Sequence, residues 1–283
     1  MTAEQASNRH GQPDVTIIVV SHGHEALLPR CIASLGPALE GLSSEILVVD
    51  NLREGTAAAA VAGLGVRTLR NDEPVGFAAN LNRGAAATTG RFLLFLNPDT
   101  EHRDGRIADA IAFLEGHPDI GLLGCTLVSG DGTLQQNFRR FPSPAVPIAR
   151  GLGAEHWPWR PAWYRRATMP AGRHDEPFAA DWIFGAFLLM RRSDFTRIGG
   201  MDERYRLYYE DVDLAWRLRR AGLATWVFPA LRFLHIHQRA SARRPFGRAW
   251  RWHVASAVRY FARTMGRIPD LPMAPPERKD GTA

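Results

Sequence analysis

Short apolar runs alternate with segments of helical periodicity through the first half of this chain. The apolar runs predict five strands, the third of them weaker than the others: 15–20, 45–50, 66–71, 91–96 and a run that begins at 120. The periodic segments predict the intervening helices: 25–35, 56–62, 77–88 and 104–115. Strands that alternate with helices favour parallel pairing in a sheet that helices cover on both faces. The predicted fold class is therefore α/β.

The pattern changes in the second half of the chain. Residues 129–138 predict a hairpin with its turn at 130–132. Residues 141–177 are rich in Pro, Trp and Arg and have little periodicity, which is typical of a long functional loop. Residues 182–190 predict a buried strand, and a helix and two further apolar runs follow 208–213. We expect one continuous domain, because the first half alone lacks a complete set of catalytic residues.

The composition is that of a globular protein with a full core, since 45% of the 283 residues are hydrophobic. The apolar runs are shorter than the roughly 20 residues that span a bilayer, and no segment has the pattern of a signal peptide. We therefore expect a cytoplasmic protein, with peripheral attachment to the inner face of the cell membrane left open. Cys31 and Cys125 lie in apolar surroundings, which favours buried reduced thiols over a disulfide.

The formal net charge of +6 is unevenly distributed. Eight arginines and no acidic residue lie between Gln238 and Pro269, and such a patch favours an anionic partner. Residues 246–267 of this segment predict a basic amphipathic helix. Its apolar side chains share one face: Trp250, Val254, Ala257, Val258, Phe261 and Met265. Two interpretations stay open, namely contact with an anionic membrane surface, or docking of the apolar face onto the rest of the protein.

Three carboxylates fall within four residues in the run Tyr208–Asp213. Acidic residues are common where a helix begins, because they complement the positive end of the helix dipole. Their crowding also raises the pKa of at least one of them, which suits a general base. The run is therefore either a charged helix start or part of a catalytic site. We expect Asp213 to be structural and to pair with Arg217, and the arginines at 217–220 to lie mostly in water.

Polar groups follow three of the predicted strands: Ser21–His24, Asp50–Asn51 and Asn97–Thr100. Open parallel sheets bind ligands at the carboxyl ends of their strands, although Asn, Pro and Asp also favour turns. Asp99 could hold Mg²⁺ or Mn²⁺, which prefer oxygen ligands, and Asp50 could accept hydrogen bonds from a base or a ribose. The chain has no GxGxxG segment after its first strand and no GxxxxGKS/T loop. A metal would therefore have to neutralise much of the phosphate charge of a bound nucleotide.

Four segments of the chain carry a resemblance: VTIIVVSHGH, EILVVDN, VGFAANLNRGAAATTGRFLLFLNPDT and WIFGAFLLMRRSDFTRIGGMDERYRLYYEDVDLAWRLRRAG. In this order they resemble the family 2 inverting glycosyltransferases of the GT-A fold. The resemblance covers roughly Val15 to Gly266, and it favours the rhamnosyltransferase-like enzymes of bacterial cell-surface polysaccharide synthesis. The fold that it implies is a Rossmann-like, mostly parallel central sheet with helices on both faces and a C-terminal amphipathic helical extension.

The resemblance also implies roles for individual residues. Seven match positions that bind the nucleotide sugar: Ser21, Asp50, Gly76, Phe77, Asn82, Gly84 and Asn97. Trp182 and Gly185 match the strand that binds the acceptor. Asp211 matches the catalytic base, and Glu210 is its neighbour, which raises the pKa of Asp211 or orients the acceptor.

Asp99 and His237 match the metal site, for which Mg²⁺ or Mn²⁺ is expected. Asn97 replaces the first acid of the family's D-x-D-type motif, so Asp99 is the main expected ligand. His237 begins a His-x-x-x-Ser element that ends at Ser241, although the glycines common inside this element are absent here. We expect His237, and not His235, to face the site.

The activity that the resemblance implies is an inverting, metal-dependent transfer of rhamnose or a similar sugar from a nucleotide-diphosphate donor to a hydroxyl group. The acceptor would be a polysaccharide or a glycan linked to a polyprenyl diphosphate. The expected organisation is a disordered tail at 1–13, a GT-A domain at 14–238, a basic amphipathic helix at 239–268 and a flexible tail at 269–283. Within the domain, residues 14–125 would bind the nucleotide sugar and residues 126–238 would bind the acceptor.

Two other functions remain open at this stage. A sugar nucleotidyltransferase also uses an α/β sheet and a metal, but it needs a phosphate loop rich in Gly and Arg, which SHGHEALLPR lacks. A non-catalytic protein that binds a nucleotide sugar or an anionic surface is the other alternative.

We expect no nucleic-acid partner, whose binding would depend strongly on salt. A homodimer is a further possibility that the sequence leaves open.

Overall fold

The computed structural model describes residues 11–157, 159, 161–164, 175–236 and 247–269. Eleven strands lie within these residues: β1 Val15–Ser21, β2 Ser44–Asp50, β3 Arg67–Arg70, β4 Phe92–Leu96, β5 Thr100–Asp104, β6 Ile120–Val128, β7 Phe138–Arg139, β8 Phe178–Ala180, β9 Trp182–Ile183, β10 Phe187–Arg191 and β11 Ala224–His235. The described α-helices are α1 Leu28–Ala38, α2 Ala57–Ala60, α3 Phe77–Ala86, α4 Ile107–Gly116, α5 Ala145–Gly151, α6 Arg192–Arg197, α7 Glu210–Arg220 and α8 Arg248–Thr264.

A central sheet of nine described strands organises the molecule, in the order β3-β2-β1-β4-β10-β6-β11-β5, with β8 also paired to β11. The first-half strands β3, β2, β1 and β4 are all parallel, as their alternation with helices predicts. Elsewhere in the sheet β10 runs antiparallel between β4 and β6, and β5 and β8 run antiparallel to β11. The sheet is therefore mixed, and its strands come from both halves of the chain.

Two hydrophobic layers cover the sheet, which confirms the prediction of helices on both faces. One layer includes Leu28 and Leu35 of α1 and Leu114 of α4. The other includes Leu81 of α3, buried residues of α6 and α7, and Tyr260 of α8. Strands with such a cover are apolar on both sides, which is why β1, β2 and β4 are continuous apolar runs. Cys31 and Cys125 are buried free thiols, as predicted.

The structure differs from the predicted elements at several places, and α5 lies within 141–177, which was predicted to be a loop. Residues 100–104 form β5, so α4 begins at Ile107 instead of 104. The turn predicted at 130–132 forms, with the Gly132 N–H 2.9 Å from the Ser129 carbonyl oxygen, but the returning chain makes an isolated β-bridge to β6 at Leu134 in place of the second strand of a hairpin. The strand predicted at 182–190 is two strands, because β9 pairs with β7 in a separate small sheet. The last two apolar runs form the single strand β11, with a bulge between its two halves.

Helix α8 docks on the second layer through one face and exposes another. Tyr260 is buried, and Ala257 and Phe261 pack beside it. Trp250, Val254, Val258 and Met265 are exposed, with Met265 70% exposed. Docking therefore accounts for only part of the apolar face predicted from the sequence. Within the described residues, no helix has the length and apolarity needed to cross a membrane.

Candidate active site

The carboxyl ends of β1 and β2 lie side by side, since Ser21 is in register with Asp50. Asp50 is buried and accepts hydrogen bonds from the N–H groups of Leu52 (3.1 Å) and Ala57 (2.8 Å). Both of its carboxylate oxygens therefore shape the loop that leads into α2. The Ser21 hydroxyl oxygen accepts a longer bond from the His24 N–H at 3.4 Å.

A buried network of asparagines, which the sequence reasoning missed, supports the next loop. The Asn51 side chain accepts hydrogen bonds from the Val75 N–H (2.8 Å) and from the Asn71 side chain (2.9 Å). Asn71 also donates to the Asn80 side chain at 2.6 Å, and Arg83 donates to Asn71 at 2.6 Å. This network fixes the chain that leads to the start of α3. An asparagine directly after a strand, as at Asn51 and Asn71, is the sequence signal that could have indicated it.

The start of α3 contacts the segment that precedes α7. A Cβ atom on Gly76 would lie 3.1 Å from Arg206 Cα, and the Phe77 N–H donates to the Arg206 carbonyl oxygen at 3.2 Å. Asn82 exchanges two hydrogen bonds with the Met201 backbone, at 2.8 and 2.9 Å. These contacts join the predicted nucleotide-binding half to the predicted catalytic half.

Gly84 lies at the face of α3 that packs on the sheet. A Cβ atom there would lie 2.6 Å from Ile18 Cγ2, so the absence of a side chain allows close approach of the helix to β1. The Asn82 side chain is occupied by the Met201 backbone and by Glu203. In this structure both residues hold α3 in place.

The two catalytic candidates begin α7. The Asp211 carboxylate accepts hydrogen bonds from its own helix at the Val212 N–H (2.8 Å) and from the Gly185 N–H (3.1 Å). A Cβ atom on Gly185 would lie 3.7 Å from the Phe77 ring and 3.8 Å from the Asp211 carboxylate. The structure thus brings together three residues that lie far apart in the sequence, Phe77, Gly185 and Asp211.

Burial raises the pKa of both carboxyl groups of this pair. Glu210 is only 6% exposed, and its Oε2 has no hydrogen-bond partner within the described residues. The charge of Asp211 raises the pKa of Glu210 further, whereas the N–H groups of Val212 and Gly185 partly offset the rise at Asp211. The proton that such a pair retains near neutral pH therefore belongs mainly on Glu210, which leaves Asp211 ionised.

Asp213 is structural, as predicted from the sequence. Its fully buried carboxylate accepts hydrogen bonds from Arg217 (2.7 Å), Arg263 of α8 (3.0 Å) and the Tyr205 hydroxyl (3.3 Å). The prediction that the arginines at 217–220 lie mostly in water was wrong for Arg217 and Arg219. Both are largely buried, because Arg217 pairs with Asp213 and Arg219 pairs with Asp181 at 2.7 Å.

The predicted metal ligand Asp99 lies where the polypeptide leaves β4 and where β11 ends. Its backbone carbonyl oxygen accepts a hydrogen bond from the Ile236 N–H at 2.8 Å. The neighbouring Asn97 donates its backbone N–H to the Ala186 carbonyl oxygen at 3.0 Å. Burial lowers the pKa of His24, and the charge of Asp99 opposes this shift, so the loop after β1 also lies close to Asp99. Three strand ends therefore meet around this carboxylate.

His235, the last residue of β11, faces Asp99, with its Nε2 3.6 Å from Asp99 Oδ1. Its Nδ1 lies 2.8 Å from Gln135 Oε1, while the Gln135 amide nitrogen donates to the His235 carbonyl oxygen at 2.8 Å. Because the Gln135 oxygen can only accept, the proton of a neutral His235 ring belongs on Nδ1. The Nε2 lone pair is then directed at Asp99. A nitrogen lone pair and a carboxylate oxygen directed at the same space fit a divalent cation.

The expectation that His235 faces away from the site was wrong. It assumed that residues separated by one position on a strand point to opposite sides, whereas such residues point to the same side. His237 and Ser241 themselves lie outside the described residues. Within the described part of the chain, no group of three or more His, Cys, Asp or Glu side chains is arranged to hold a metal ion.

An aromatic pair lies beside Gly185 on the predicted acceptor side. The Trp182 ring stacks on Phe184, with ring centroids 5.4 Å apart and an interplanar angle of 25°. The Trp182 indole N–H donates to the Arg140 carbonyl oxygen at 2.9 Å, and the Arg139 guanidinium lies over the Phe184 ring. Such a rigid flat surface can pack against a sugar ring or an apolar chain.

Comparison with known proteins assigns the family. The model for "Glycosyl transferase family 2" matches residues 16–199, about two thirds of the chain, and the model for "N-terminal domain of galactosyltransferase" matches residues 171–239. The chain therefore belongs to glycosyltransferase family 2, and it is a glycosyltransferase, as its motifs predicted.

Its relatives by sequence include two rhamnosyltransferases. The chain is 29% identical to the N-acetylglucosaminyl-diphospho-decaprenol L-rhamnosyltransferase of Mycobacterium tuberculosis, over 81% of this chain and 78% of that protein. It is also 29% identical to the rhamnosyltransferase WbbL of Escherichia coli, over 88% of this chain and 93% of that protein. These relatives confirm the predicted resemblance to rhamnosyltransferases of polysaccharide synthesis.

Solved structures confirm the GT-A fold. The crystal structure of GalNAc-T7 with UDP, GalNAc and Mn²⁺ matches 89% of this chain and 48% of its own, with a TM-score of 0.61 and 15% identity. The mannosyltransferase PcManGT of Pyrobaculum calidifontis, in complex with GDP-Man and Mn²⁺, matches 91% of this chain and 66% of its own, with a TM-score of 0.60 and 17% identity.

Proposed function

We propose that the protein is an inverting, metal-dependent glycosyltransferase that moves rhamnose or a similar sugar from a nucleotide-diphosphate donor to a hydroxyl group. The acceptor is a lipid-linked glycan or a polysaccharide in cell-surface glycan synthesis. The relatives named rhamnosyltransferase support the choice of sugar. The relative named for a diphospho-decaprenol supports an acceptor that is carried on a polyprenyl diphosphate.

One observation carries the proposal, which is the position of the Asp211 carboxylate. It lies 3.1 Å from the Gly185 N–H, beside Phe77 and near the Trp182–Phe184 pair, where the two halves of the chain meet. Burial raises its pKa, while Glu210 keeps the shared proton. An ionised carboxylate with a raised pKa, located between donor and acceptor surfaces, is suited to act as a general base.

The proposed reaction is a single displacement at the anomeric carbon of the sugar. The bond from this carbon to the diphosphate breaks, a bond to the acceptor oxygen forms, and the diphosphate leaves with the electron pair. The acceptor proton goes to Asp211. Attack from the face opposite the leaving group inverts the configuration and needs no protein nucleophile. Protonated Glu210 keeps a second negative charge away from Asp211, and the Gly185 N–H fixes the orientation of the base.

We assign the divalent cation, Mg²⁺ or Mn²⁺, to Asp99, with His235 and His237 as candidates for a nitrogen ligand. The position of His235 Nε2, 3.6 Å from Asp99 Oδ1, supports this assignment. A cation bound there would stabilise the charge of the leaving diphosphate. The Mn²⁺ in the structures of GalNAc-T7 and PcManGT agrees with it.

Of the remaining residues implied by the resemblance, some would contact the substrates and others would hold α3 in place. We propose that Ser21, Asp50, Phe77 and Asn97 line the nucleotide-sugar pocket, and that Gly76 allows α3 to begin close to the Arg206 backbone. The contacts of Asn82 and Gly84 favour a supporting role in which they hold α3 against Met201 and Ile18. The Trp182–Phe184 pair would pack against the acceptor.

We also propose that the exposed stripe of α8 contacts an anionic membrane surface. The stripe consists of Trp250, Val254, Val258 and Met265, and Val258 is 64% exposed. Arg251 and Arg259 lie beside it on the exposed part of the helix. Apolar side chains flanked by arginines match the chemistry of an anionic bilayer interface. A polyprenyl-linked acceptor would lie at the same surface.

The experiment that tests the proposed function is the substitution Asp211→Asn. We expect it to abolish sugar transfer while the affinity for the nucleoside diphosphate stays within about two-fold, since the base acts only on the acceptor hydroxyl. Asp119→Asn, which changes an exposed aspartate, is the matched control and should transfer normally. Transfer by Asp211→Asn at the rate of this control would show that Asp211 is not the base.

A further inference from the structure

Two consecutive residues before the catalytic pair adopt a strained backbone conformation. Tyr208 and Tyr209 have φ angles of 65° and 66°, in the left-handed region that residues with a Cβ atom avoid. Such a conformation persists only when its surroundings hold it. Because Tyr209 directly precedes Glu210, the backbone of this turn sets the directions of Glu210 and Asp211.

Helix α8 covers the outer side of this turn. The Ser256 hydroxyl donates a hydrogen bond to the Leu207 carbonyl oxygen at 3.0 Å. The His253 ring lies against the Tyr208 ring, with centroids 4.7 Å apart. A hydrogen bond to the residue before the turn and a ring contact with its first tyrosine therefore join α8 to this segment.

The second tyrosine of the turn is buried against the same helix. The Tyr209 ring lies 5.5 Å from the Tyr260 ring and 6.2 Å from the Phe261 ring, measured between centroids, and Tyr209 is buried. Unwinding of the turn toward an ordinary conformation would expose this ring and lose its contacts. Apolar burial therefore opposes the backbone strain.

Arg263 of α8 connects the chain before the Tyr208–Tyr209 turn to the first helical turn of α7. Its guanidinium lies 3.0 Å from Asp213 and 2.8 Å from Asp202, on either side of the strained segment. The Asp213 carboxylate is fully buried and also binds Arg217. A charge-assisted bond to a buried carboxylate two residues after Asp211 fixes the start of the catalytic helix.

We infer that α8 is a positioning element of the active site, which holds the Tyr208–Tyr209 turn in its strained conformation and thereby directs the Asp211 carboxylate. Arg263 is the positioning residue, since it joins the two sides of the turn. The inference rests on the proposed role of Asp211 as base. It gives α8 a role in transfer that is independent of contact with a membrane, because the contacts that hold the turn lie on the docked face.

The variant Arg263→Gln tests this inference. We expect kcat to fall by about 10- to 100-fold, the loss that a misplaced catalytic group causes, with the KM for the donor unchanged. Arg263→Lys should recover part of the loss, because it retains one charged contact. Arg106→Gln, which breaks an exposed ion pair with Asp109 on α4, is the matched control and should behave like the unaltered protein. Acceptor presented in detergent removes any effect of membrane binding.

Amide hydrogen exchange of the segment 205–212 gives a second readout that does not depend on activity. Exchange should accelerate in Arg263→Gln and not in Arg106→Gln. Ser256→Ala, a smaller change that removes only the bond to Leu207, should accelerate it less, and it serves as the test if Arg263→Gln does not fold. Unchanged exchange in both Arg263→Gln and Ser256→Ala would overturn the inference. So would faster exchange in Arg263→Gln that leaves kcat unchanged. Transfer that survives Asp211→Asn would instead refute the proposed function, and the exchange result would still decide whether α8 holds the turn.

Discussion

Adjacent carboxylates acquire different properties because their surroundings differ. Glu210 is buried and its Oε2 has no hydrogen-bond partner among the described residues, whereas both oxygens of Asp211 accept backbone N–H groups. Both pKa values are raised, but the fold penalises an ionised Glu210 more strongly. The sequence run could predict that a carboxyl group would titrate abnormally, because crowding is visible in it. It could not predict which one, because burial and backbone contacts depend on the tertiary structure.

A pH-dependent gain in stability is expected for Glu210→Gln. A raised pKa in the folded state means that the protein loses stability as pH rises from the ordinary carboxyl range, near pH 4, through the raised value. The amide cannot ionise, so its advantage over the natural residue should grow by at least about 1.4 kcal/mol between pH 5 and pH 9. Urea unfolding at both pH values measures it, with Glu40→Gln as an exposed control. An advantage that is equal at both pH values would contradict the raised pKa.

Removal of the Asp99 carboxylate should abolish the metal dependence of nucleotide binding. A panel of nucleoside diphosphates should raise the melting temperature of the unaltered protein more with Mn²⁺ than with a chelator. In Asp99→Ala this difference should disappear, and in His235→Ala it should shrink, because each variant removes one candidate ligand. Asp119→Asn again provides the control. A Mn²⁺-dependent rise in melting temperature of normal size in Asp99→Ala would show that Asp99 does not bind the metal.

At the scale of single elements, Gly84 gives a test of how α3 packs on the sheet. Replacing a glycine inside a helix by alanine normally stabilises a protein by about 0.5–1 kcal/mol. At Gly84 the new Cβ would lie 2.6 Å from Ile18, so we expect Gly84→Ala to destabilise by about 1–3 kcal/mol. Gly116→Ala at the end of α4, where nothing lies within 4 Å, should be neutral or stabilising. Urea unfolding measures the change in the free energy of unfolding for each variant. A stabilising Gly84→Ala would contradict the close packing of α3 on β1.

The elements that the sequence predicted well are those whose pattern is set locally. β1, β2 and β4 are continuous apolar runs because both of their faces are covered, and they begin and end within a few residues of the predicted bounds. β5 is a short strand with polar residues, which forms because β11 extends far enough to pair with it. The break between β9 and β10 arises because β9 pairs with β7 outside the main sheet. The local sequence pattern does not show that β5 pairs with β11 or that β9 pairs with β7.

At the scale of the whole molecule, the candidate site is assembled from both halves of the chain by the mixed sheet. β10 enters between β4 and β6, so Gly185, which precedes it, is carried to the same edge as the ends of β1 and β4. Motif order was enough to predict Asp99 and Asp211 as candidates. The contacts of His235, Gln135 and Arg263 depend on strand and helix pairing across fifty residues or more. No motif in the chain indicated them.

The two faces of α8 lead to a final prediction about the whole protein. One face holds the Tyr208–Tyr209 turn, and the other exposes the stripe of Trp250, Val254, Val258 and Met265. We expect the protein to float with vesicles that contain phosphatidylglycerol and much less with pure phosphatidylcholine. Added salt should weaken the binding, since each arginine near an anionic surface contributes about 1 kcal/mol that salt screens.

Val258→Glu should abolish this flotation, because it places a charge in the centre of the stripe. Leu134→Glu, at an exposed leucine in the chain that follows the turn at 130–132, is the matched control and should float normally. Equal binding to both kinds of vesicle, or flotation that survives Val258→Glu, would contradict membrane contact through α8.

A dimer in sedimentation that Val258→Glu converts to monomer would instead assign the stripe to a second copy of the chain. The stripe and the docked face of α8 are separate, so Val258→Glu should transfer sugar normally to an acceptor in detergent. This assay distinguishes a loss of membrane binding from a loss of the catalytic geometry.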